Sequence, residues 1–214
     1  MKGIIDNLIE RVKKDYRVNF KNKLLINLSM YGIVFYTFFT ISFLIIGFVQ
    51  GMVLMLIGAI SQFLFIQLFI SKKIPYKLTF NLGISVTFLI LIIDIYYSGG
   101  IKSHSFPWLL IIPVLSNLIL ENRRNNIFWL SMSILGAFFY SYHSFLGFTV
   151  INKVPAEFLI YVNFSSYTGF AVMLLLLTSL FDKKKNHFYK ELLIKEIQLK
   201  ETAHYMKVSV GCQT

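Results

Sequence analysis

Tyr97-Ser98-Gly99-Gly100-Ile101-Lys102-Ser103-His104-Ser105-Phe106-Pro107-Trp108 is the longest polar break on one side of an apolar block that runs from Leu24 to Phe181. Its residues read as a helix end, a loop and a helix start. Gly99-Gly100 suits the left-handed backbone that closes a helix. Pro107 suits the first turn of the next one, where its missing N–H costs nothing. Asp94 stands just before the break, and Lys102 and His104 stand inside it.

The block on either side is too long for a globular core. Of the 214 residues, 56% are hydrophobic and only 14% are charged, too few to cover a soluble surface. Apolar runs of about 18 residues or more read as membrane spans. The expected fold is all-α: an integral membrane bundle of six transmembrane helices with a C-terminal cytoplasmic linker helix. The expected spans are Leu24–Val49, Gly51–Ser71 after a turn at Gln50, Leu78–Tyr97, Pro107–Leu120, Ile127–Phe148 and Phe158–Phe181. The fourth is the shortest. Fourteen residues at about 1.5 Å each reach roughly 21 Å, short of a ~30 Å hydrocarbon core, and Pro113 sits in its middle.

The formal charge of +11 is explained by topology. All of the 21 lysines and arginines except Lys102 and Lys153 fall in the N-terminus, the 72–77 turn, the 121–126 turn and the C-terminus. The positive-inside rule then puts both termini in the cytoplasm of a cell (inner) membrane. Lys72, Lys73, Arg123, Arg124, Lys183, Lys184 and Lys185 become topology anchors. The Gly99-Gly100 loop and the loop around residues 147–157 face outward. No basic face or nucleic-acid motif accompanies the charge, so nucleic acid is not an expected partner.

The domain order follows. Residues 1–23 form a basic amphipathic segment, and residues 24–181 the six-helix membrane domain. Residues 182–207 form a helix with a weak heptad at Leu192, Leu199 and Met206, which suggests a homodimer. Residues 208–214 are left as an unstructured tail. With a single cysteine, Cys212, neither an intrachain disulfide nor a zinc-ligand spacing arises. No cofactor or metal is expected, and no membrane-enzyme constellation is present.

The candidate sensing residues are Asp94, Lys102, His104, Trp108, His143 and Glu157, all on the outward side. Asp94 shares a helical face with Gly83 and Thr87, so it is expected to point into the bundle. A carboxylate beside His104 or His143 would favour the imidazolium and raise its pKa. On that reading the loop is held when acidic and released as pH rises. Gln62, Gln67, Asn163, Ser165 and Ser166 read as interhelical hydrogen-bond groups. The sequence offers Lys153 no partner.

The segment Tyr97-Ser-Gly-Gly-Ile-Lys-Ser-His-Ser-Phe-Pro-Trp-Leu-Leu-Ile-Ile-Pro113, with Arg123-Arg124 and Trp129 after it, resembles the six-span input domain of bacterial sensor histidine kinases. Asp15-Tyr16-Arg17 before the first span and the basic exit after the sixth are similar too. His104 stands where that family usually has proline after the serine. The resemblance implies a two-component sensor input that relays an outer-face or intramembrane stimulus to a cytoplasmic kinase or other effector domain. No phosphoacceptor box or glycine-rich ATP site is present, and His204 lacks a phosphoacceptor's flanking residues. The chain itself is therefore expected to have no enzyme activity, its catalytic half being truncated or separate. The alternative expectation is a small transporter or channel subunit.

Overall fold

The computed structural model describes residues 2–120, 122–146 and 152–211, with side chains described within 21–120, 122–142, 145–146, 152–186, 188–190 and 192–200. The chain is all-helical. In order, the helices are α1 (Lys2–Ile46), α2 (Val49–Ile70), α3 (Tyr76–Tyr97), α4 (Ile111–Leu120), α5 (Arg123–Phe145) and α6 (Leu159–Gly211). Short 3₁₀ turns occupy Gly100–Lys102, Phe106–Leu110 and Ala156–Phe158. Among the described residues no strand forms; an isolated antiparallel bridge joins Ser98 to Asn152.

Four segments are long and apolar enough to cross a membrane: Lys21–Ile46, Val49–Ile70, Tyr76–Tyr97 and Ala156–Lys200. The apolar stretch Phe106–Leu120 is shorter, and α5 carries serines, tyrosines and His143 along its length. Large apolar side chains such as Val34, Ile45, Phe63 and Leu89 are exposed along these helices, as helices that meet lipid require.

Several local expectations are corrected. The α1–α2 turn lies at Gly47-Phe48, not at Gln50, because Gly47 (φ +78°) supplies the left-handed residue that ends α1. Residues 2–23 belong to α1, which runs unbroken from Lys2, and the side chains of residues 2–20, on which the amphipathic reading rests, lie outside the described ones. Pro107 opens a 3₁₀ turn, and α4 proper starts at Ile111. Pro113 therefore sits in the first turn of α4, where its missing N–H breaks nothing. At the other end, α6 continues to Gly211 and takes in residues 208–211, since no proline or glycine intervenes to stop it. Residues 212–214 lie outside the described set, as does the Met206 side chain.

The chain divides into two units, Met1–Val172 and Met173–Thr214. In the first, α2 packs against α1 and α3, and α4 pairs with α5. Phe39, Phe43, Phe48, Met55, Ile90, Val154 and Val162 form a buried core, with Trp108 and Tyr97 packed on it. A polar junction crosses α1, α2 and α3. The Tyr36 hydroxyl donates to Thr87 Oγ1 (2.9 Å), and Gln62 Nε2 donates to the Gly83 carbonyl (3.2 Å). Gly58 lets α1 approach, since a Cβ there would meet the Tyr36 ring at 2.6 Å.

In the second unit, residues 188–200 carry charges and exposed apolar side chains together. Phe188, Leu192, Leu193, Ile197 and Leu199 are all at least half open or nearly so. Lys200 pairs with Glu196 one turn earlier at 2.8 Å, an exposed pair of the kind that contributes little.

Candidate functional site

The site is built where α3 ends. Ser98 closes the helix twice, its N–H and its hydroxyl both donating to the Asp94 carbonyl (3.0 and 2.6 Å). Gly99 (φ +109°) then turns the chain back, a conformation open to glycine and costly for other residues. The 3₁₀ turn Gly100–Lys102 follows, and Ser103 N–H donates to the Gly100 carbonyl (2.9 Å). The Ser98 hydroxyl hydrogen is already spent on Asp94, so Ser103 donates across the 2.5 Å gap between the two hydroxyls. Ser103 Oγ in turn accepts from Ser105 N–H (3.0 Å).

This bonding folds the loop inward. Connecting segments ordinarily lie on the surface, yet Ser98, Ser103, His104 and Ser105 are all buried here. Ser105 Oγ donates to Asp94 Oδ2 at 2.5 Å. Asp94 is fully buried, as its shared face with Gly83 and Thr87 predicts. His104 packs its ring edgewise on Phe43, with centroids 5.6 Å apart. Its Nε2 lies 3.6 Å from Asp94 Oδ2, beyond hydrogen-bond reach. Among the described residues, Asp94 Oδ1 and both imidazole nitrogens are buried without a hydrogen-bond partner.

The loop is tied to α6 through its backbone. Ser166 Oγ donates to the His104 carbonyl (2.8 Å) and accepts from Trp108 Nε1 (3.0 Å). The Trp108 ring stands edgewise to Phe35, Phe39 and Phe170. Gly169 leaves room for it; a Cβ there would meet Phe39 at 3.2 Å and Trp108 at 3.5 Å. A second strap covers the helix end. Asn152 bridges to Ser98, Lys153 N–H donates to the Tyr97 carbonyl (2.9 Å), and Lys153 Nζ lies 5.2 Å over the Tyr97 ring. Lys153, for which the sequence suggests no partner, is part of this strap.

Of the residues singled out from sequence, the structure brings Asp94, His104 and Trp108 together. Lys102 and Glu157 are exposed, and the His143 side chain lies outside the described residues. Ser98, Ser103, Ser105 and Phe43 belong to the site and escaped sequence reasoning. The triple Ser103-His104-Ser105 was the available signal, because three hydrogen-bonding residues in a row are what an inward-folded loop needs. Ser166 bridges elements as expected of it and Gln62 does too, whereas Gln67 is exposed and Ser165 bonds locally to Val162.

The electrostatic expectation for His104 is reversed. Burial pushes its pKa down from 6.5 to about 4. Desolvation penalises the imidazolium, and at 3.6 Å without a hydrogen bond the carboxyl does not outweigh it. The docked imidazole is therefore neutral at pH 7.

Ser, His and Asp are together, but not as a nucleophilic triad. Ser105 bonds straight to the carboxyl, and neither imidazole nitrogen holds a hydroxyl, so the nucleophile–base bond is missing. Among the described residues no three of His, Cys, Asp and Glu converge as metal ligands. Comparison with protein-family models, with curated proteins and with solved structures finds no match to this chain.

Proposed function

We propose that the chain is the membrane-embedded input domain of a two-component-type sensor, with α1 to α6 all crossing the membrane and both termini cytoplasmic. The loop 98–108 faces outward and receives the stimulus. Helix α6 carries the response to a cytoplasmic kinase or other effector domain. The observation that carries this reading is the bond from Ser166 to the His104 carbonyl. It ties a buried, incompletely paired loop to the helix that continues to Gly211. The exposed Phe188, Leu192 and Leu199 favour pairing of that helix with its twin in a homodimer, since apolar side chains on a charged helix gain from burial.

Single cysteines replacing Leu192 and Leu199, in a Cys212→Ser background, should crosslink between protomers in membranes, and Ser166→Ala should change the yield severalfold. A chain with no crosslink anywhere from Phe188 to Met206 acts as a monomer, and the small transporter or channel subunit becomes the better reading. A reporter fused at Asn125 should read cytoplasmic. An external reading there removes the six-span topology, because α4 would then enter and leave on one side.

A further inference from the structure

We propose that Asp94 and His104 form one proton-binding site, in which a single proton is shared between the carboxyl and the imidazole and its binding is passed to α6. Three buried polar atoms in one small volume have no hydrogen-bond partner among the described residues: Asp94 Oδ1, His104 Nδ1 and His104 Nε2. Each such atom is costly to the fold if it stays unpaired. Such atoms call for an explanation, and a binding role is one. A metal ion would need more ligands, and no third His, Cys, Asp or Glu joins the pair among the described residues. A proton needs no cavity and no third ligand. With the imidazole's own proton on Nδ1, the added proton lies between Nε2 and Oδ2, which are 3.6 Å apart; the hydrogen bond it makes would pair Nε2 and draw the two groups together.

Among the described residues, the surroundings leave the pair to itself; the His143 side chain and residues 147–151 lie outside them. Helix α1 presents Phe43 and α6 presents Ser166, neither of which ionises near neutral pH. From α5 comes Tyr140, whose hydroxyl donates to the Ile92 carbonyl, with Tyr96 of α3 close by. Lys153 sits over Tyr97, and Lys102 is exposed. The imidazole alone, held at about 4 by burial, would stay empty from pH 8 to 5. Uptake in that range requires its partner. Drawing His104 toward α3 moves its carbonyl, the acceptor for Ser166, which is itself the acceptor for Trp108.

The proposal names the stimulus of the input site and rests on the sensor reading only for its output. The full chain in lipid nanodiscs, with Trp129→Phe so that Trp108 alone reports, is titrated from pH 8 to 3.5 by tryptophan emission. The parent should show one transition between about pH 5 and 8. Asp94→Asn should move it to the acid side by more than one pH unit, a tenfold or greater loss of proton affinity. His104→Gln should displace it as well, the double variant should be flat, and Lys102→Gln should match the parent. A flat parent trace overturns the site, and so does a midpoint unmoved in either single variant. If Asp94→Asn fails to insert, His104→Gln decides alone. Crosslinking at Leu192→Cys in the same samples separates the two readings: an emission transition with no change in crosslinking leaves the proton site standing and removes its link to output.

Discussion

Helix α3 carries two polar junctions about two turns apart, and they are built to different standards. At Thr87, every described polar side chain is used. Tyr36 reaches Thr87, Thr87 donates to the Gly83 carbonyl, and Gln62 donates to the same carbonyl. No buried side-chain atom of these three residues is left unpaired. At Asp94, one carboxyl oxygen and a whole imidazole go without partners. The first junction locks three helices. The second holds a loop in a polar interior that is short of hydrogen bonds. In low permittivity a satisfied polar network rigidifies, and a partly satisfied one is costly. Among the described residues of α3, the buried side-chain atom without a hydrogen-bond partner is Asp94 Oδ1.

The largest expected effect breaks the locked junction. Gly58→Val places methyl groups where the Tyr36 ring already lies, with the Cβ alone at 2.6 Å from it. The ring is tethered by its hydroxyl to Thr87, so it cannot swing aside without losing that bond. Overpacking of this kind costs up to about 3 kcal/mol. A clear fall in thermal midpoint in detergent is expected, with the Trp108 emission of whatever remains folded unchanged. An unshifted midpoint would mean that α1 and α2 are not held face to face at Gly58.

The contrast between the junctions also explains what sequence could tell. Helical character and most helix positions were legible, because apolar runs of this length leave the backbone no other way to satisfy itself in lipid. The inward face of α3 was legible from Gly83, Thr87 and Asp94. The α1–α2 turn was misplaced because Gly47 and Gly51 both qualify as turn residues by type. Only the packing distinguishes them: Gly51 sits against Phe43 and Phe48, while Gly47 has open space and a positive φ. The inward fold of the 98–105 loop was hidden because serines read as surface residues. It takes Ser98, Ser103 and Ser105 bonding one another to make burial affordable. The sign of the His104 shift was missed for the same reason. A charge partner can be guessed from sequence, but desolvation depends on the loop's burial and on Phe43, a residue of another helix.

The smaller effect sharpens the comparison by reducing the open junction to one titrating group. In Asp94→Asn, His104 is the ionisable group left in the loop interior. Its docked pKa is about 4, and an undocked, solvated imidazole titrates near 6.5. The undocked state therefore binds more protons between these values, and docking strengthens as pH rises through them. The hold is complete above about pH 6.5, weakens on acidification, and reaches its minimum below about 4. Between pH 7 and pH 5 the loss is about 2 kcal/mol, or roughly twentyfold in the docking equilibrium. Amide hydrogen exchange reads this, because Ser103 and Ser105 are buried in the docked loop and their N–H groups are hydrogen-bonded there. Their protection, corrected for the intrinsic effect of pH on exchange, should fall by that factor in Asp94→Asn. The parent should be flatter, since its docked pair also takes up a proton in this range. Protection that is constant from pH 7 to 5 in Asp94→Asn would show that the imidazole reaches water while docked. Protection that rises on acidification would restore the opposite sign, in which the charged imidazole is the form that holds the loop.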